Sequence, residues 1–129
     1  KIEQKAYLAK GCEEMKTTKM LKKNYEFKQV LTKGKYYSGQ YIKAFIIKNK
    51  KQNNFLGLAI STKVGKANKR NKIKRLLREN YKNLEEKIKT GYSIVFLIKK
   101  EVNIEEINFA KIEKDMYKII KKAELIVSE

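Results

Sequence analysis

Residues 66–89 read KANKRNKIKRLLRENYKNLEEKIK, and the rest of the chain can be arranged around them. Ile73, Leu76, Leu77, Tyr81, Leu84 and Ile88 recur at helical spacing and form one apolar stripe, which predicts a long amphipathic helix over 66–89. At 100° per residue Arg70, Lys74, Arg78 and Arg75 fill the arc beside that stripe. Gly91 stands where such a helix would stop.

On either side lie short apolar runs of strand length. Upstream, Tyr41, Lys43, Phe45 and Ile47 alternate with Ile42, Ala44 and Ile46, a polar turn follows over 48–54, and 55–62 supplies a second run. These two runs read as the arms of a hairpin. In the second arm Leu56, Leu58 and Ile60 share one face, while the other carries only the small residues Gly57, Ala59 and Ser61, leaving room for something to lie on it. Downstream, residues 92–98 are apolar on both faces and read as an inner strand.

Two further helices complete the plan. Asn24 is an N-cap candidate with Glu26 in the first turn; Phe27, Val30 and Leu31 keep helical spacing, and Gly34 ends a first helix over 24–33. Asn103 with Glu106 three residues on is a capping pattern for a last helix, whose buried stripe is Phe109, Ile112, Met116, Ile119, Ile120 and Ala123. The expected fold is α+β, a small α-β-β-α-β-α sandwich with a central sheet. Residues 1–19 fit this plan poorly and are expected to be an N-terminal extension, mobile or of artificial origin; Met15 or Met20 could each begin a native chain. Residues 20–129 would form a single domain.

The chain has 129 residues with 32 Lys+Arg against 14 Asp+Glu, a formal charge of +18. The absence of histidine removes imidazole bases and His metal sites, and the single Cys12 permits neither an internal disulfide nor a cysteine zinc site. No apolar run approaches the roughly 18 residues of a membrane span. A cytoplasmic, membrane-free setting is expected.

The charge is unevenly placed. Residues 21–65 hold ten lysines and one glutamate, and 66–89 hold ten Lys+Arg and three glutamates, whereas the last forty residues carry seven of each sign. An excess of this size repels itself unless a polyanion neutralises it. A solvated helix surface usually mixes signs to gain i,i+4 pairs, yet 66–80 contains only Glu79, and Arg70, Lys74 and Arg78 repel one another at that same spacing. Phosphates falling between them would reverse the sign of that interaction, and arginine forks suit phosphate oxygens. A helix that needs its apolar stripe for a core cannot lay it on lipid, so a nucleic acid is the favoured partner.

The same run resembles a known family. Arg70-Asn71-Lys72-x-Lys74-Arg75-x-x-Arg78-Glu79 is similar to the basic signature of the bacterial ribonuclease P protein subunit. The likeness extends to Leu21-Lys22-Lys23-Asn24 followed by Phe27, to Gly34, and to Gly57-Leu58-Ala59-Ile60-Ser61-x-Lys63-Val64-Gly65-x-Ala67, covering about 20–123. Lys72 stands where the family often has arginine, Lys66 and Lys69 where uncharged residues are common, and Leu31 where an aromatic residue is usual. The resemblance implies a left-handed strand-helix-strand crossover, against the general right-handed rule. It also implies a catalytic RNA partner that holds Mg²⁺ and removes the 5′ leader of precursor tRNA, with no metal bound by the protein, which by itself would be monomeric. Lys63, Lys66, Arg70, Asn71, Lys72, Lys74, Arg75 and Arg78 would then face the catalytic RNA, and Phe27, Leu31, Lys43 and Phe45 the single-stranded leader.

The residues themselves allow such a groove, since Phe27 and Leu31 could face Lys43 and Phe45 across the small-residue floor; they equally allow Phe27 and Phe45 to close the core, and Tyr36, Tyr37 and Tyr41 stay open between packing and RNA contact. Metal-dependent phosphodiester hydrolysis by a protein needs gathered carboxylates, and Asp115 is the one aspartate of the chain. Catalysis is therefore expected from the RNA and not from this chain. The alternatives are a structural RNA-binding protein of ribosomal type and, more remotely, a nucleoid-type DNA binder.

Overall fold

The computed structural model describes residues 17–127. Its strands are β1 (Thr18–Met20), β2 (Lys35–Ser38), β3 (Ile42–Lys48), β4 (Asn54–Ala59) and β5 (Tyr92–Ile98), and its helices α1 (Asn24–Lys33), α2 (Ala67–Leu84) and α3 (Phe109–Lys122). The strands form one sheet in the order β1-β4-β5-β3-β2. The fold is α+β as expected, with two strands more than the sequence pattern indicates. Residues 1–16 of the expected extension lie outside the described residues. Thr18 and Lys19, assigned above to that extension, pair with Asn54 and Phe55 in parallel, so the folded unit begins earlier than residue 20.

The expected hairpin does not form. Strand β5 runs between β3 and β4, antiparallel to the first and parallel to the second. The cause is β5 itself: Ile94, Val95, Phe96 and Ile98 are all buried, and a strand apolar on both faces is best covered at the centre of a sheet. Residues 49–53 are not a tight turn but a bridge across the slot that β5 fills, spanning two strand spacings of about 4.8 Å each.

Alternation along the strands sorts the core into two layers. Ile42, Ala44, Ile46, Leu56, Ile94, Phe96 and Ile98 meet Ile73, Leu77 and Tyr81 of α2 and Ile112, Met116, Ile119 and Ile120 of α3 on one face. Each large side chain fully buried there contributes roughly 1.5–3 kcal/mol. On the other face Val95 packs with Leu21 and Val30 under α1, joined by Phe27, Leu31, Phe45, Ile47, Phe55, Ala59 and Leu97.

Three helix boundaries differ from expectation. Helix α1 has Lys23, not Asn24, at the N-cap position; the Glu26 carboxylate reaches back to accept from the backbone N–H of Lys23 at 2.9 Å and of Lys22 at 3.2 Å, which holds its pKa below the usual glutamate value. Helix α2 ends at Leu84 and tightens into a 3₁₀ turn over Glu85–Lys87, where the Glu85 side chain accepts from the Thr17 N–H at 3.0 Å. Asn103 caps only a 3₁₀ turn, Ile104–Glu106, and α3 starts later with Asn108 accepting from the Lys111 N–H. Phe109 is consequently the first residue of α3 and is exposed, not part of the buried stripe.

A buried polar bracket joins the start of the sheet to the end of α2. The Tyr81 hydroxyl lies 2.8 Å from Thr18 Oγ1 and accepts from Asn54 Nδ2 at 3.4 Å. Asn54 also donates to the Lys89 carbonyl and accepts from the Tyr92 N–H. Tyr81→Phe should cost about 1–2 kcal/mol in urea unfolding, because two buried partners lose a bond. Burial pushes the Tyr81 phenol above its ordinary value of 10.0. The unfolded chain therefore releases this proton first, and the bracket's stabilisation is lost as pH rises beyond that value. The phenylalanine variant should lack this component of the alkaline limb.

Candidate nucleic-acid interface

Helix α2 carries seven Lys+Arg and one carboxylate, Glu79, and has no acidic residue in its first turn. Its apolar stripe is pinned to the sheet, which forces the basic residues outward. Arg70, Lys74 and Arg78 follow one another down an arc of about 80°, with Asn71 and Arg75 next round the cylinder. Arg78, Asn71 and Arg75 are exposed, and Arg70 and Lys74 half-buried at the arc's inner margin. Arg70 donates from Nε to the Gly65 carbonyl at 3.1 Å. That bond orients the guanidinium and leaves its terminal nitrogens for a ligand. Lys63 and Lys66, both exposed on the approach to α2, extend the cationic surface at the helix's positive end.

Lys72 does not join this group. It lies on the flank turned toward the 3₁₀ turn before α3, where Lys69, Lys72, Ile73, Leu76, Ile104, Glu105 and Ile107 line a cavity of about 90 Å³. Lys69 forms an ion pair with Glu105 there, and this bond, with the Lys69 charge, holds the Glu105 carboxyl below its usual range. The basic run thus divides into an open face of Arg70, Lys74 and Arg78 and a flank partly neutralised by Glu105.

The second candidate site lies on the opposite side of the sheet. Phe27, Leu31 and Phe45 belong to one cluster with Ala59 and Leu97 under α1, and Lys43, two residues from Phe45 on β3, shares their face. The structure brings all four expected residues to one surface. The small floor is not vacant at Gly57: a Cβ there would come 2.6 Å from Phe27 Cε1 and 3.0 Å from Leu21 Cδ1, so glycine is what lets Phe27 seat on the sheet. Phe27 therefore both closes the core and forms the wall beside Ala59, Leu97 and Lys43, which are all half-buried. On the other flank of α1 the space between helix and sheet opens into a cavity of about 310 Å³, reached by Glu26, Gln29, Ile47, Phe55 and the loop lysines Lys48, Lys50 and Lys51. Lys51 Nζ stands 5.0 Å over the Phe55 ring.

One wall of this surface is missing from the sequence pattern. Tyr36 of β2 pairs with Phe45, their ring centroids 5.2 Å apart at a tilt of 52°, and it is half exposed. A tyrosine pair bounded by lysine and serine is a strand signal of only four residues, which is why periodicity passes over it.

The sequence model of the Ribonuclease P family matches residues 15–124. The "Ribonuclease P protein component" of Clostridioides difficile is 38% identical over 111 residues, covering 85% of this chain and 96% of that protein. That of Fusobacterium nucleatum is 41% identical over 108 residues, covering 82% and 97%. Among solved structures, the RNase P protein of Staphylococcus aureus superposes with a TM-score of 0.74 at 27% identity, covering 83% of this chain and 96% of its own. The RNase P protein from Thermotoga maritima gives a TM-score of 0.74 at 26% identity, covering 81% and 96%.

Proposed function

The chain belongs to the ribonuclease P protein family, and on that premise we propose a division of labour between its two surfaces. It is a protein subunit of ribonuclease P, an endoribonuclease whose chemistry belongs to its RNA, and its partner is that RNA. In our reading, Arg70, Lys74, Arg78, Asn71 and Arg75, with Lys63 and Lys66, hold phosphates of the catalytic RNA, while Lys72 contributes charge from the flank. Phe27, Leu31, Lys43 and Phe45, with Tyr36 added, hold the 5′ leader of precursor tRNA. The observation that carries this reading is the segregation of the surfaces: an open cationic arc on α2, and on the far side of the sheet a half-buried aromatic groove with a lysine at its rim. Duplex phosphates need the first and unstacked bases the second.

Mg²⁺ in this reading is bound by the RNA. Among the described residues the carboxylates are not gathered to hold a metal ion: Asp115 spends its carboxylate on three backbone N–H groups and Glu79 is the one acid of α2. In this reading the protein alone is a monomer, and it acts in the cytoplasm where precursor tRNA is processed. No helix among the described residues is long and apolar enough to cross a membrane.

The test is cleavage of precursor tRNA at low Mg²⁺ by the cognate RNA, with and without the protein, using leaders of increasing length. The protein should raise cleavage only when the RNA is present, and affinity should grow with leader length until the groove is filled. Phe45→Ala should remove part of that gain, on the scale of the roughly 1–3 kcal/mol of one base stack. Cleavage by RNA-free protein, or affinity indifferent to the leader, would overturn the assignment.

A further inference from the structure

By sequence the last forty residues are neutral, but the fold separates their charges. Asp115 is turned inward and accepts from the backbone N–H groups of Gln40, Tyr41 and Ile42. At 100° per residue Lys111, Lys114, Lys118, Lys121 and Lys122 fall within about 100° of the α3 circumference, and Glu113 stands about 130° from the centre of that arc. Four of the five lysines are exposed and Lys111 is half-buried. Among the described residues none of them is paired with a carboxylate. Lys114, Lys118 and Lys122 repeat at i,i+4, where like charges destabilise a helix. This is the same pattern that Arg70, Lys74 and Arg78 make on α2.

Aromatic rings adjoin the row. Tyr117 is 42% exposed. Lys111 Nζ lies 5.4 Å over the Tyr41 ring. Beside α3, at the open edge of the sheet, Lys35 Nζ lies 5.7 Å over the Tyr37 ring. Asn80 donates to the Phe109 carbonyl and so marks the side of α2 that faces α3, and Arg70, Lys74 and Arg78 lie well round the cylinder from it. The α3 row and the α2 arc are therefore opposite flanks of one helical layer.

We infer that the lysine row of α3, with Tyr117, Tyr41 and Tyr37, is a second RNA-binding surface that grips the phosphates of a helical RNA segment distinct from the one on α2. The inference rests on the reading that the partner is the ribonuclease P RNA. A convex row about 16 Å long has no walls to hold unstacked bases, so it suits a duplex backbone rather than a single strand. Its apolar stripe is spent on the core, so lipid has nothing to receive.

The experiment measures binding of the full chain to its cognate ribonuclease P RNA over a series of salt concentrations. Lys114→Ala/Lys118→Ala/Lys121→Ala should shallow the log–log slope by about 2–3, at about 0.7–0.9 per lost contact. A control, Lys87→Ala/Lys89→Ala/Lys100→Ala, removes the same charge from exposed positions elsewhere and should leave the slope nearly unchanged. Urea unfolding verifies that both variants fold. An unchanged slope for the α3 variant overturns the inference, as does an equal change in the control, or loss of binding to phosphatidylglycerol vesicles with RNA binding intact. If Arg70→Ala/Lys74→Ala/Arg78→Ala weakens RNA binding while the α3 variant does not, the inference fails and the α2 assignment stands. If neither does, both fail.

Discussion

Asp115→Ala is expected to destabilise the protein by about 3–5 kcal/mol, the largest loss from any single polar substitution considered for this fold. The carboxylate is 4% exposed. Its Oδ1 accepts from the Gln40 N–H at 3.0 Å, and its Oδ2 accepts from the N–H groups of Tyr41 and of Ile42 at 2.5 and 3.0 Å. Alanine would strand three donors in the turn that connects β2 to β3; that of Ile42 is buried, and those of Gln40 and Tyr41 are only partly open to water. The approach is so close that a Cβ on Gly39 would sit 2.8 Å from the Asp115 carboxyl carbon. Asp115→Asn should cost less, because one oxygen can still serve two of the donors while the amide faces the third. For a domain of this size the alanine loss corresponds to roughly 12–20 °C in Tm. Urea unfolding should show the midpoint falling with the m-value unchanged. A drop of under 3 °C would mean that the turn holds itself together without α3. The turn also sets Ser38 opposite Lys43 and Tyr36 opposite Phe45, so if those residues line the leader groove as proposed, loosening it should weaken leader-dependent binding before it weakens contact with the catalytic RNA.

That carboxylate also marks the limit of what periodicity can read. The stripe of α2 and the alternation of β3 and β4 were legible because each is a property of neighbouring residues, and their faces fall as the pattern predicts: Ile42, Ala44 and Ile46 inward toward α2 and α3, Phe45 and Ile47 toward α1. The two apolar faces of β5 disclosed an inner strand. What they could not disclose is which strands it separates, because pairing is chosen between segments far apart in the chain. Strands β1 and β2 span three and four residues, too few for a period to register, and take their places from β4 and β3. Asp115 meets partners more than seventy residues away, and Gly57 has its meaning only against Phe27. The basic face of α2 was the most legible part of the candidate site, since charge and spacing lie on one helix; Lys72 shows the remaining gap, because the turn carrying Glu105 that flanks it comes from another part of the chain.

The triple variant Arg70→Ala/Lys74→Ala/Arg78→Ala should separate binding from folding by moving them in opposite directions. In the folded protein alone these three cations repel at i,i+4, and alanine is the best helix former, so their removal should leave stability unchanged or raise it by a few tenths of a kcal/mol. The hydrogen bond lost is the one from Arg70 Nε to the Gly65 carbonyl, at the half-buried inner margin of the arc, where water can take part of its place. Against the catalytic RNA the same change should be severe. Each phosphate contact releases condensed counterions, and losing three should shallow the log–log salt slope by about 2–3 and weaken affinity by roughly 10²-fold near 0.1 M salt. Lysine at position 70 or 78 should keep the slope, since charge is retained, yet lower affinity at any one salt concentration, because a point charge cannot reproduce a guanidinium fork. A triple variant with the wild-type slope would place the RNA on another face of the molecule. A lower slope accompanied by lost stability would instead mean that the arc serves the fold, which the exposure of Arg78 and the mutual repulsion of the three cations argue against.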